Sequence, residues 1–485
     1  MLCPMPIFTA MKIFSFQDEF ETVDWVSAVK ASIKNPEELK ALAKTDSDGL
    51  GMKALYRSED LQSAIPLPEN QNKCEIWQRI QIERISRANQ RALESLNGGV
   101  SGLIFSHTAL PSEQDWDRLL EGIHLDWGLP VFWDLADSST AGVFLWIDYL
   151  AGKGFNLDAI FGGVLLDPLT LSARKGKLEG GRTNLFDVLH KTIEFALSEM
   201  PAGKWLHIQA GFYRECGCSP VQELAFALAL ASDYLEELSK RGLEEGKLLS
   251  TLMLHFSALC TSDYFTEMLK PRAFLLLWKN LLDSRTLPYV KPHIHIESAE
   301  RNKTLYDAHN NLVRAGIESH AALIGGADSL SNRAFDGFFR EAEAASYRWA
   351  RNIGLILKAE AGVNGVADPA KGAYFLENRT QQLAEAAWNL FLEIEELGGM
   401  ADALKSNFIQ QQVAFKAEEE KKGFLNRKKV LVGSNTYADE QQKMAKEFTR
   451  ILPAEPEEDL QFLKLRPERL SEGLEVERLK MEKTT

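Results

Sequence analysis

The stretch GFYRECGCSP, residues 211–220, gathers Tyr213, Arg214, Glu215, Cys216 and Cys218 directly behind an apolar run. Such residue types suit an acid/base active site, a metal or redox dithiol site, or the remnant of one. Cys216 and Cys218 are separated by a single glycine. Structural zinc sites use two ligand pairs, usually with two or more residues between partners, and no second pair stands elsewhere in the chain. The plainer reading is two buried thiols beside a close-packed glycine. In HIHIES, His293 and His295 fall on the same side of a strand. Joined by His207 or His255 from neighbouring strands they would make a ligand set, and otherwise they are hydrogen-bonded interior imidazoles. His107 follows one apolar run and Asp328 follows ALIGG, and each is a weak candidate for a general base at a strand's C-terminal rim. No phosphate-binding GxxxxGK[ST] or strand-linked GxGxxG pattern is present. These residues assign no catalytic, cofactor-binding or metal-binding role on their own.

Apolar runs alternating with helical stretches would position these groups. The strand-like runs are 99–106, 130–135, 159–167, 205–211, 250–257, 292–298 and 321–326, with an eighth at 372–378. Nearly continuous apolar strands separated by helices predict a parallel sheet covered by helices, and eight units would close a (β/α)₈ barrel. A doubly wound sheet is the alternative. Ser219, Pro220 and Gln222 make a helix start, with a capping hydroxyl, a proline at the first position and a Gln capping back. The helix they open runs to Gly242. Tyr213, Arg214, Glu215 and the two cysteines therefore fall on a βα loop, the barrel face that normally holds chemistry.

With 485 residues, 45% apolar and 26% charged, the chain can bury a sizeable core. A net charge of −14 argues against nucleic acid or an anionic membrane as partner. Five cysteines, Cys3, Cys74, Cys216, Cys218 and Cys260, do not form a disulfide framework. With no signal-peptide pattern or spanning run, a cytoplasmic location is expected. Residues 1–85 read as an N-terminal arm for subunit association, with a short amphipathic stretch and a turn at Asp46–Gly51. Residues 86–452 read as the barrel, and 453–485 as a charged tail, either a frayed solvated helix or a linker.

Residues 348–404 carry a long, specific pattern: Arg348, Ala350, Arg351, Asn352; then Glu360, Asp368, Pro369, Ala370, Gly372, Tyr374; then an amphipathic helix ending in Glu393–Met400. This pattern resembles the methylmalonyl-CoA mutase family very closely. DSDGLGMKALYRSEDL, QELAFALALASDYL, DAHNNLVRAGIESHAALIGGADSL and FLNRKKVLVGSNTY resemble further family segments, extending the likeness from about residue 20 to 440. It implies a (β/α)₈ acyl-CoA mutase barrel.

The departures matter as much. In catalytic chains a Tyr-His pair follows the fourth strand; here the aligned residues are Phe212–Tyr213, so Tyr213 stands where the histidine would be. The family's N-terminal substrate-binding arginine motif is replaced by CEIWQRIQIERISRANQRAL, and a second histidine is lost within Asp328–Asn332. No Asp-x-His-x-x-Gly signature announces a cobalamin-binding flavodoxin-like domain. The resemblance thus implies a small, non-catalytic subunit of a heterodimeric methylmalonyl-CoA mutase, with adenosylcobalamin and substrate held by a large partner subunit, no cofactor bound here, and a possible homodimer in isolation. The alternative is the catalytic barrel of a split acyl-CoA mutase whose cobalamin-binding chain is separate. Bulky strand residues, Phe132, Trp133, His207, Phe256, His293 and His295, lead to the expectation of a plugged axial channel.

Overall fold

The computed structural model describes residues 22–33, 42–61, 73–107, 111–136, 139–251, 255–449 and 460–484, in two compact units, 1–56 and 57–485. In the first, a helix Thr22–Ser32 precedes a two-stranded antiparallel ladder, Lys44–Thr45 with Gly51–Met52. Asp46 forms its turn: one carboxylate oxygen accepts from the backbone N–H groups of Asp48 and Leu50, both at 2.9 Å.

The second unit is built on eight parallel strands: β1 Glu75–Gln81, β2 Gly102–Ser106, β3 Val131–Asp134, β4 Gly162–Val164, β5 His207–Ile208, β6 His255–Cys260, β7 His293–Ser298 and β8 Ser329–Ser331. They run β4-β3-β2-β1-β8-β7-β6-β5. A bridge between Leu166 and Leu206 joins the two edges, with Leu166 N–H donating to Trp205 O and His207 N–H to Leu166 O, both at 2.9 Å. The barrel is thereby closed and the sheet keeps no free edge.

Six of the expected strands are present; two are helical. Residues 321–326 end the helix Asn310–Gly325, and 372–378 open the helix Tyr374–Glu396. A short apolar run fits a buried helix turn as well as a strand, and tertiary packing decides. The two strands in their place are β1, inside the stretch read as an arm, and β8, whose three residues SLS carry little signal.

Asp328 is displaced as a consequence. It precedes β8 and lies at the N-terminal end of the barrel, not the C-terminal rim. There it accepts from Ile294 N–H at 2.9 Å and pairs with Lys291. The tail is helical at its end, as expected, but packed rather than solvated. Residues 460–471 form a strap along the barrel rim, followed by a helix Glu472–Thr484 whose Leu479 is buried against Phe338, Phe339 and Met444.

Candidate functional site: the barrel axis and its mouth

Strand alternation sorts the interior. From β1, Trp77 and Arg79 point inward; from β3, Phe132 and Asp134; from β7, His293, His295 and Glu297. The opposite parity faces the helices: Trp133 packs edge-on with Trp116, and Phe256 stacks on Phe274 with ring centroids 3.8 Å apart.

The axis is filled. Trp77, Ile104, Phe132 and Leu165 form one buried cluster. The Trp77 indole stacks on Phe132, His293 and His295 at centroid distances of 5.4, 5.1 and 5.2 Å. Both imidazoles are hydrogen-bonded: His293 Nε2 to Ser329 Oγ at 2.8 Å, His295 Nδ1 to the same oxygen at 2.7 Å, and His295 Nε2 to Ser331 Oγ at 3.0 Å. Burial pushes His293 down to about 4 and His207 down to about 3, so both are neutral at physiological pH. His293 and His295 are thus interior residues with serine partners. Among the described residues, no three His, Cys, Asp or Glu converge to hold a metal ion.

Above this plug, at the C-terminal ends of the strands, lies a cavity of about 380 Å³ lined with charge. Arg79 reaches across it, with Nε 2.6 Å from Glu297 Oε1, and Nη1 2.8 Å from Asp134 Oδ2 and 2.7 Å from Ser106 Oγ. Arg333, just beyond β8, lies 3.2 Å from Glu297, 3.4 Å from Glu215 and 3.3 Å from Glu300. Burial opposes the charges of Arg79, Arg333, Glu297, Asp134 and Glu215. For Glu297 and Asp134 the facing arginines prevail and hold both carboxyls below their usual range, Glu297 well below. For Glu215 burial prevails and its pKa is raised. Arg174 also lines the mouth, with its guanidinium 4.7 Å over the Phe212 ring.

The GFYRECGCSP segment is now explained residue by residue. Ala210–Glu215 is a helical turn rather than an open loop. Tyr213 is fully buried, its hydroxyl 3.3 Å from Thr170 Oγ1 and its ring edge-on to Phe212 and Phe226. Desolvation raises its pKa well above the ordinary phenol value. Phe212, not Tyr213, lines the mouth. Glu215 accepts from the backbone N–H of Glu300 and of Arg301, both at 2.8 Å, which ties this turn to the loop after β7.

Gly217 adopts φ +102°, and a Cβ there would come within 2.6 Å of Ala417 Cβ. Cys216 and Cys218 are buried beside it, and burial pushes both thiols far up. They are packing groups, not nucleophiles. The Ser219 and Gln222 caps form as expected, opening the helix Pro220–Lys240.

His107 does reach the mouth cavity, at the end of β2, with burial lowering its pKa. Sequence reasoning missed the partners that dominate that mouth: Arg79, Asp134, Glu297 and Arg333. For Asp134 and Glu297 the signal was a charged residue at the end of an apolar strand on the inward parity; Arg79 and Arg333 carried no such signal.

The strap borders the same mouth. Gln461 and Phe462 N–H both donate to Gly176 O, at 2.9 and 3.1 Å, Glu468 N–H donates to Glu215 O at 3.1 Å, and Leu470 N–H to Arg301 O at 2.8 Å. Pro467 lines the cavity itself. The strap thus follows the rim from the loop after β4, past β5, to the loop after β7.

The residues that carry the strongest sequence pattern do not face the mouth. Asp368 and Glu377 both pair with the buried Arg272 among the outer helices. Gly398 and Gly399 adopt φ +99° and +89° between two helices.

Comparison with known proteins gives consistent relatives. A family model described as methylmalonyl-CoA mutase matches residues 89–476. The chain is 29% identical over 447 residues to the methylmalonyl-CoA mutase small subunit of Porphyromonas gingivalis, covering 88% of this chain and 71% of that one. It is 28% identical over 414 residues to the protein of the same description from Streptomyces virginiae, covering 82% of this chain and 66% of that one. It is 32% identical over 248 residues to the methylmalonyl-CoA mutase of Rhizobium meliloti, covering 50% of this chain and 35% of that one. The chain therefore spans about two thirds of these two small-subunit relatives and about a third of the last.

Proposed function

The chain belongs to the methylmalonyl-CoA mutase family, and from that premise we propose that it is the small, non-catalytic subunit of a heterodimeric mutase, serving to stabilise a large partner that carries out the rearrangement. One observation carries the reading: the barrel axis is filled by Trp77, Phe132, Leu165, His293 and His295, with stacked rings and paired imidazoles. A thioester substrate threading the barrel needs that space. A packed interior of this kind does not open without losing contacts that hold the sheet together.

The family implies adenosylcobalamin, and the residues at this mouth do not fit it. Arg79 and Arg333 at the cavity are matched by carboxylates, and Arg174 lies over the Phe212 ring. The residue at the former histidine position, Tyr213, is turned into protein. The rim is occupied by the strap. The cofactor is accordingly assigned to the large partner. What this chain's own residues do is hold a rigid barrel surface for that partner.

The test is a mutase assay with methylmalonyl-CoA and adenosylcobalamin on this chain alone, on a large subunit from the same source alone, and on the two co-expressed. Activity only where the large subunit is present, with co-elution, supports the proposal. Activity from this chain mixed with an isolated cobalamin-binding domain would overturn it and make this the catalytic barrel of a split enzyme.

A further inference from the structure

Beside the charged mouth lies a second cavity of about 220 Å³, lined from the helices Pro168–Lys175 and Gly181–Glu199. The two cavities meet along Asp134, Ala136, Arg174 and Gln209, which line both. Their characters differ. Leu171, Leu185, Val188 and Leu189 give the side chamber an apolar wall, whereas carboxylates and guanidinium groups dominate the mouth.

The charges around the side chamber are matched, with one exception. Asp134 pairs with Arg79, and Lys175 and Lys177 lie 3.0 and 3.8 Å from Glu179. Asp167 accepts from Thr170 N–H, Gln209 N–H and Tyr234 O–H at 3.0, 2.7 and 2.6 Å. Arg174 has no carboxylate and no hydrogen-bond acceptor among the described residues; its guanidinium lies 4.7 Å over the Phe212 ring. That stacking sets the fork at the seam between charged and apolar space and leaves its N–H donors unused.

The backbone at the same seam is strained. Ala136 holds φ +46°, a left-handed conformation uncommon for a residue with a Cβ, and its carbonyl accepts from Ser139 Oγ–H at 2.9 Å. Strain of this kind concentrates where a chain is shaped around a ligand.

We propose that the side chamber binds a small monocarboxylate with an unbranched hydrocarbon tail. The carboxylate lies on the Arg174 fork, two N–H groups to two oxygens, and the tail runs along Leu171, Val188 and Leu189. A phosphate monoester is the poorer fit. A dianion would meet a single unpaired cation, with Asp134 and Glu179 on the same walls, and would leave the apolar side bare. The site stands apart from the heterodimer reading, since every wall named belongs to this chain.

Calorimetric titration of the full chain with butanoate, hexanoate and octanoate tests it, with hexan-1-ol and inorganic phosphate as controls. Affinity should rise about fourfold for each added methylene. Hexan-1-ol should bind at least about tenfold more weakly than hexanoate, for want of the charge-assisted pair. Arg174→Gln should lose at least about tenfold for hexanoate and little for hexan-1-ol, while Val188→Asp should weaken both. Both side chains are exposed, so the melting temperature without ligand should hold in each variant. Should a variant melt early, the length series and the hexan-1-ol comparison on the unaltered chain decide by themselves. Absence of octanoate binding at millimolar concentration, equal affinity for hexanoate and hexan-1-ol, or undiminished hexanoate affinity in Arg174→Gln would each overturn the proposal. Tighter binding of phosphate than of hexanoate would overturn the ligand class.

Discussion

The indole of Trp77 occupies the space a side chain at Gly102 would need: a Cβ there would lie 2.6 Å from the ring's Cδ1. The two residues face each other across adjacent strands, in register. The plug in the barrel axis is therefore a matched pair, a large ring on one strand and an empty position on the next.

Trp77→Ala should lower the free energy of unfolding by about 3–5 kcal/mol, because the surrounding rings cannot collapse into the space. Urea denaturation measures this. A loss below about 1 kcal/mol would show that the indole is not a packed element of the core.

Arg79→Leu should cost about 3–5 kcal/mol at neutral pH by stranding Asp134 and Glu297 without their shared partner. Both carboxyls are held below their usual range in the folded protein. Their contribution is present above the unfolded carboxylate value of about 4 and is lost as pH falls through the lower folded values. The gap between wild type and variant should accordingly narrow below about pH 4. Melting curves at pH 7 and pH 3 compare the two.

Asp233 behaves in the opposite sense. Burial raises its pKa to about 7, against the hydrogen bond from Ala401 N–H and the charge of Arg182. The folded state keeps this proton that the unfolded chain has released, so the contribution to stability declines as pH rises from about 4 to about 7. Asp233→Asn still offers an acceptor to Ala401 and removes that decline. Relative to wild type, the variant should gain about 3 kcal/mol between pH 4 and pH 8. A constant difference across that range would refute the buried, protonated carboxyl.

Glu475→Ala should loosen the strap. Its carboxylate accepts from Leu305 N–H at 2.8 Å and Ser471 Oγ–H at 2.7 Å, and pairs with Arg469 at 2.5 Å. Leaving these groups unpaired costs about 1–3 kcal/mol each where they are buried. Limited proteolysis should then cut within 460–471 well before the barrel. Equal resistance in wild type and variant would show that the strap is held elsewhere.

Much of the architecture was legible in the sequence, for identifiable reasons. The helix Pro220–Lys240 announced itself through Ser219, Pro220 and Gln222, and the helix Tyr374–Glu396 through its amphipathic period and the Gly398–Gly399 stop. Strands β2 to β7 stood out as apolar runs. What escaped were places where inward-facing positions are polar. EIWQRIQ alternates ring and charge because its inner face builds both the plug and the mouth, so it does not read as a buried strand. SLS is too short to show a period. ALIGG is apolar enough for either element, and reading it as a strand moved Asp328 to the wrong end of the barrel. The mouth network was illegible for a further reason: Arg79, Asp134, Glu297 and Arg333 are far apart in sequence and meet only once the barrel closes.

The strap has a bearing on the order of assembly. Its acceptors, the carbonyls of Gly176, Glu215 and Arg301, belong to loops after three different strands, and every one of those strands precedes it in the chain. It can dock only on a barrel whose β4, β5 and β7 already stand at the correct relative heights. A barrel slipped by one residue along any of these strands would offer the carbonyls out of line. The strap's full set of hydrogen bonds is thus a feature of the barrel closed in this register, and it ties together the connections that follow three separate strands.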